Sequence, residues 1–225
     1  MEKYGTVPKK FTKEWWEYFW DYYKWHVIIG AVLLAMITVT AVQLVTKIKY
    51  DAVVTYIGTA VYSEDAQKEI ADSFAQITDD VNGNGKKDVQ FQIISTASSK
   101  SALENPQYTM AIETKTIFEI QTGESFLFIM DAEQVQKIYE NGIADGLFIP
   151  VEDWLEEINS EVEPADGAAG DYFVKLPTNA FFKNYEFECG DIYVGVRKIR
   201  ENEDEISAKE QIAAFKLANY LLSYR

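Results

Sequence analysis

The sequence predicts a membrane-anchored α/β protein: an N-terminal transmembrane helix, then a largely parallel sheet with helices on both faces. Three observations carry this. Residues 26–45, HVIIGAVLLAMITVTAVQLV, run 20 positions without a charge. At about 1.5 Å per residue, such a helix matches the roughly 30 Å hydrocarbon core of a bilayer. Downstream, short β-branched or aromatic runs alternate with segments of helical period, the order that calls for parallel strands joined by crossover helices. Finally, the run at 125–130, SFLFIM, is almost wholly apolar, as expected of a central strand covered on both faces.

A chain of 225 residues accommodates one anchor and one domain able to bury its own core. The organisation predicted is an aromatic segment at 1–25, a span at 26–46 and an extracytoplasmic domain at 47–225. The net charge of −15 is unevenly spread: residues 1–46 carry five Lys and four Asp/Glu, whereas the rest carries 16 Lys/Arg against 32 Asp/Glu. So acidic a domain repels nucleic acid, which needs Lys and Arg to neutralise its phosphates, and it repels anionic headgroups. One cysteine, Cys189, excludes an internal disulfide, and one histidine, His26, at the membrane edge excludes His-based triads and zinc sites from the domain.

The N-terminal segment FTKEWWEYFWDYYKW reads as a helix capped by Thr12, with Phe11 and Trp16 spaced as a hydrophobic staple. Glu14, Glu17, Asp21 and Lys24 form one narrow polar stripe among rings suited to the headgroup region. The same rings could dock a second membrane protein through residues 11–45. Lys3, Lys9, Lys10, Lys13 and Lys24 precede the span, and only Lys47 and Lys49 follow closely. The excess places the N-terminus in the cytoplasm and the large domain outside. Val39-Thr40-Ala41 offers small residues for signal cleavage, but the apolar run continues to Val45 and exceeds a usual signal core of about 7–15 residues, so an uncleaved signal anchor is expected.

In the domain, 51–57 reads as a strand ended by Gly58, and Ser63 caps a helix over 64–78 whose Ala66, Ile70, Phe74 and Ile77 share one face. A strand at 89–95 precedes a helix from Pro106 to about 122, stopped by Gly123. After the strand at 125–130, Asp131 is expected to cap the next helix with Gln134 in a capping box, and Gly142 closes it. A short acidic helix near 153–159 and a flexible loop at 164–170 follow. Strands at 172–176 and 191–199 flank an aromatic excursion at 180–189. The acidic run 201–205 reads as a solvated turn, and Ser207 with Glu210 as the capping box of a last helix.

The most specific-looking motif is Asp80-Val-Asn82-Gly-Asn84-Gly85-Lys86-Lys-Asp88. Its side-chain oxygens at positions 1, 3, 5 and 9, the Lys86 carbonyl at 7 and glycine at 6 match the opening of an EF-hand calcium loop. Phe91 replaces the bidentate acid at position 12, so any calcium held there is weakly bound, and a turn rich in Asn and Gly explains the same residues. No other cofactor is expected. Asp131 ends the central strand, where open α/β sheets place their ligands. Helix capping explains it equally. Glu152, Asp153, Glu156 and Glu157 read as a solvated face, Phe181, Phe182, Tyr185 and Phe187 as a cover for the sheet, and Cys189 as a packed thiol with no histidine to activate it.

Residues 117–158 carry a resemblance. A helix ended by Gly123, the strand SFLFIMD, a helix, an Asn-Gly turn and GLFIPVEDWL resemble the first lobe of type 2 extracytoplasmic solute-binding proteins, over about 51–200. The resemblance implies the fold of one lobe. A two-lobed ligand cleft is not implied, because the chain has length for one lobe and carries a transmembrane anchor. The layout, with its aromatic entry YYKWH, is similar to that of short membrane-anchored proteins of Gram-positive anaerobes. The function expected is non-catalytic binding or scaffolding at the cell surface, as an accessory to a transporter or envelope complex. The alternatives are a ligand receptor, single-lobed or completed by dimerisation, and a carboxylate-based hydrolase.

The anchor has a direct test. After carbonate extraction the intact chain should stay with the membranes; a soluble product beginning near Val42 would mark a cleaved signal instead.

Overall fold

The computed structural model describes residues 8–46, 48–96, 106–157, 171–201, 203 and 205–224. The chain divides into two compact units, Met1–Ile48 and Lys49–Arg225.

The first unit is built on one helix, α1 (Lys13–Thr46, 34 residues). Thr12 caps it as expected, its hydroxyl oxygen accepting from the Trp15 N–H at 3.3 Å. Phe11 takes a positive φ of 65° and packs its ring on Trp15, centroids 5.4 Å apart, one position short of the Trp16 that staple spacing suggests. The aromatic segment and the apolar stretch form one continuous helix. Trp15, Phe19 and Tyr23 stack at successive i, i+4 steps, centroids 5.4 Å apart. Lys13–Gln43 of this helix is long and apolar enough to cross a membrane, with a mean hydropathy of 2.2 over its most apolar window and none of that window buried. It fits a membrane anchor or a signal sequence.

The second unit is a five-stranded sheet, β1 (Ala52–Gly58), β2 (Val89–Ser95), β3 (Leu127–Asp131), β4 (Val174–Lys175) and β5 (Ile192–Val196). The strand order is β2-β1-β3-β5-β4. β1 runs parallel to β2, with Ala52 opposite Val89, and to β3, with Val54 opposite Leu127. β5 is antiparallel to β3, and β4 to β5. The expected largely parallel sheet is therefore half parallel and half antiparallel. The reason lies in the connections. α2 (Glu64–Ile77) and α3 (Pro106–Thr122) are long enough to carry the chain back for a parallel pairing. The link from β4 to β5, residues 176–191, holds only the four-residue helix α7 (Ala180–Lys183), about 6 Å long, whereas a parallel return usually runs through a full crossover helix; its Phe181, Phe182 and Phe187 are packed into the core instead.

Helices cover both faces, as the alternation of the central strands requires. Val54, Tyr56, Leu127 and Ile129 point into a core shared with α2, α6 (Val151–Glu157), α7 and α8 (Glu205–Ser223). Ile57, Phe128 and Met130 point into a second core with α3, α4 (Ala132–Glu140) and α5 (Ala144–Leu147). β1 is buried at all seven positions. Ser63 caps α2 through the Ala66 N–H, and Ala66, Ile70 and Phe74 are buried. Ser207 lies inside α8, which begins at Glu205, two residues before the predicted cap. The acidic helix is placed at Val151–Glu157, and the loop predicted at 164–170 lies outside the described residues.

The expected solvated turn at 201–205 contains a buried charge network instead. Arg197 is completely buried, its guanidinium 4.3 Å over the Phe126 ring. It donates to the Ser125 carbonyl at 2.9 Å and to both Glu203 oxygens, at 2.9 and 3.3 Å. Arg200 donates to the same carboxylate through Nε at 2.8 Å and to the Gln121 and Gly123 carbonyls at the end of α3. Two guanidiniums thus share one carboxylate and tie β5, β3, α3 and the approach to α8 together.

The Glu203 carboxyl titrates below its ordinary range: burial pushes it up, and the hydrogen bonds from Arg197 and Arg200 outweigh burial. Its stabilising contribution is present above the unfolded value of about 4.3 and lost as pH falls through the lower folded one. Glu203→Gln should cost about 3 kcal/mol of unfolding free energy near neutral pH by leaving Arg197 buried without its counter-ion. Denaturant unfolding across the acid range should show the gap from wild type closing below about pH 4.3.

Candidate functional site

In the order β2-β1-β3, the chain leaves β1 toward one neighbour and returns on its other side. The carboxyl ends of β1 and β3 therefore flank a switch point, the place where open sheets hold ligands. Asp131 ends β3 there, as the sequence predicted, but its carboxylate does not cap α4. It crosses to β1 instead. Oδ1 accepts the Tyr56 hydroxyl proton at 2.7 Å, and Oδ2 accepts from the Thr59 N–H at 2.6 Å and the Thr59 hydroxyl at 2.9 Å. Gln134, the expected capping-box partner, reaches the Thr96 hydroxyl at 3.4 Å. The fit demands glycine at 58: a Cβ there would lie 2.4 Å from the Asp131 Cγ.

Two neighbouring groups shift through their own burial and, second, through this half-buried carboxylate. Burial foremost, and then the hydrogen bond to Asp131, push the Tyr56 hydroxyl well above its usual range, so it stays a donor. Burial, with the Asp131 charge second, raises the Cys189 thiol to about 12. A thiol so seldom ionised is a poor nucleophile.

Beside this corner opens a cleft of about 900 Å³ lined by Val61, Tyr62, Ser63, Lys183, Glu186, Glu188 and Cys189. Its rim is a two-way backbone bridge between Val61 and Glu188, at 2.9 and 2.7 Å. Glu186 occupies left-handed backbone space, φ 54°, in the tight return from α7. Lys183, Glu186 and Glu188 are exposed, so the cleft offers one positive and two negative groups.

The Asp80–Asp88 loop is built around its own amides. Asp80 accepts from the Asn84 N–H at 3.1 Å and the Gly85 N–H at 2.8 Å. Asn82 accepts from Asn84 at 3.0 Å and Asn84 from Lys86 at 2.7 Å. Gly83 and Gly85 adopt positive φ, 71° and 81°, which glycine permits without strain. Asp88 contributes its N–H to Asp51, and Phe91, at the twelfth position, is buried in β2. Among the described residues no three His, Cys, Asp or Glu side chains are grouped to hold a metal.

Of the other predicted candidates, Glu152, Asp153, Glu156 and Glu157 are exposed, opposite the buried Val151, Trp154 and Leu155. Phe181, Phe182 and Phe187 are buried. Phe181 stacks on Phe74 with centroids 5.2 Å apart, and Tyr185 hydrogen-bonds Ser73. Sequence reasoning missed Asp51, Tyr56 and Thr59. Asp51 is completely buried and accepts from Val81, Asn82 and Asp88 amides at 2.7, 3.0 and 2.8 Å. The available signal was an acid directly before an apolar strand and a tyrosine within it, since buried polar groups require partners.

Asp51→Ala should lower the unfolding free energy by about 3 kcal/mol, because it strands three part-buried amides, and Asp131→Ala by about 2 kcal/mol, because of its donors only the Tyr56 hydroxyl is away from water. Tyr56→Phe, which deletes a single neutral donor, should cost about 1 kcal/mol; urea titration checks the ranking. No family model matches this chain, and comparison with curated proteins and with solved structures finds no significant similarity.

Proposed function

We propose that this chain is a single-pass membrane protein, N-terminus in the cytoplasm, whose acidic outer domain is a non-catalytic binding or scaffolding module of the cell envelope. One observation carries the non-catalytic part. The carboxylate at the switch point, the position most suited to chemistry, is consumed by three hydrogen bonds from Tyr56 and Thr59. The nearby thiol, raised to about 12, is equally unsuited to attack. The anchor part is supported by the apolar α1 and by the lysines that precede it. The resemblance to one lobe of a solute-binding protein belongs to the same proposal.

A ligand receptor is the second reading, and the cleft beside Cys189 favours it. At about 900 Å³ it falls within the usual size range of small-molecule sites. Two experiments test the proposal on the full chain reconstituted in bilayers and in cells. Protease added to intact spheroplasts should digest the domain, and complete protection would reverse the orientation. A thermal-shift screen of amines, amino acids, short peptides and millimolar calcium should leave the wild-type transition unmoved under the scaffold reading. A specific shift abolished by Glu188→Gln selects the receptor, and a calcium shift abolished by Asp80→Ala places a cation in the loop.

A further inference from the structure

α3 divides its apolar side chains between core and solvent: Ile120 is buried and Ile112 packs beside it, while Met110 and Phe118 are left outside. An ordinary surface helix turns its apolar stripe toward the core. Here only Thr116 and Ile120 are buried, and the Thr116 hydroxyl finds no partner among the described residues. Glu119 also faces inward, where it accepts from Gln92 at 2.6 Å. Gln92 in turn donates to Thr55 and Ser125 at 2.7 and 3.2 Å. Solvent receives two large apolar side chains: Met110 is 71 % and Phe118 65 % exposed.

The outward positions keep a strict spacing. Gln107, Ala111, Thr114, Phe118 and Gln121 follow one another at steps of four and three, the heptad rhythm of a helix that packs along another helix. All five are exposed and uncharged, and so is Met110 beside them. In a chain of net charge −15, an uncharged stripe along a 17-residue helix keeps like charges out of the contact between two copies.

We propose that α3 pairs antiparallel with α3 of a second copy of this chain, about a twofold axis at Thr114. The register is self-complementary, as an isologous contact must be. Four residues either side of Thr114 lie Met110 and Phe118, so each thioether meets the partner copy's ring, a favourable sulfur–aromatic contact. Seven either side lie Gln107 and Gln121, whose amides can bond each other at the two ends. Antiparallel alignment also opposes the two helix dipoles. Four large side chains of this kind bury on the order of 500 Å² in all, less than the roughly 1,200 Å² of a stable complex in free solution. The pairing therefore belongs to copies held in one membrane, where confinement raises the effective concentration toward the order of millimolar; its strength, though not its geometry, rests on the anchor proposed above.

The test is cross-linking of the full chain in membranes, in a Cys189→Ser background so that the introduced thiol is alone. Thr114→Cys sits on the twofold axis and should form a disulfide-linked dimer under mild oxidation, at least about tenfold faster than Gln136→Cys on the exposed side of α4. Adding Phe118→Glu, or independently Met110→Lys, should slow it at least about tenfold while leaving the circular dichroism melt unchanged, since both side chains are exposed in the single copy. Equal rates at positions 114 and 136, or a rate untouched by both substitutions, would overturn the pairing. So would a monomer whose Thr114→Cys thiol resists maleimide, which would assign the face to residues 97–105 of the same chain. Carbonate extraction reports on the anchor alone, so failure of that reading and failure of this one are separable.

Discussion

Two carboxylates hold the ends of the strand that everything else is built on. β1 has no exposed residue, and at each of its ends a carboxylate draws in the neighbouring chain segments. Asp51 does this at the entrance, gathering three amides of the Asp80–Asp88 turn. Asp131 does it at the exit, gathering Tyr56 and Thr59. Each acid lies on one segment and serves another, so each fixes the register of chain segments 30 or more residues apart. A buried carboxylate is costly unless its oxygens are filled, and here the filling is also what positions the loops.

The part of this fold legible in the sequence is the part set by local rules. Ser63 with Glu64 and Asp65, Pro106, Gly123 and Gly142 mark helix ends by capping and backbone freedom, and the structure places helix ends at them. Strand direction is different, because a run such as IYVGV contains nothing that says which way its neighbour points; how the link between β4 and β5 packs its aromatic side chains into the core decides it. Asp131 was legible as a special position and misleading as a cap, since the competing partners, Tyr56 and Thr59, are more than 70 residues away. Arg197 was invisible for a different reason: its counter-ion Glu203 is only six residues away, but it sits in a run of acids that composition alone describes as solvated.

The same limit applies to α3. Its sequence carries Met110, Ile112, Ile117, Phe118 and Ile120 around most of the helix, so its period does not choose a face. The choice is made by the sheet beneath. There Thr55, Gln92 and Ser125 form a polar patch on an otherwise apolar surface, and α3 turns Glu119 toward it. A polar island in the core thus turns Met110 and Phe118 outward, while Ile112 and Ile120 stay against the sheet.

The unbroken course of α1 has a mechanical consequence. Each residue of an α-helix turns the chain by about 100° and advances it about 1.5 Å. The compass bearing of Trp16 and Trp20 is therefore geared to that of every residue in the apolar stretch that follows, with no hinge to absorb a twist. The helix acts as a shaft about 51 Å long. One residue added or removed near His26 would swing the whole aromatic face by more than a quarter turn relative to the apolar stretch, although neither part would change in composition.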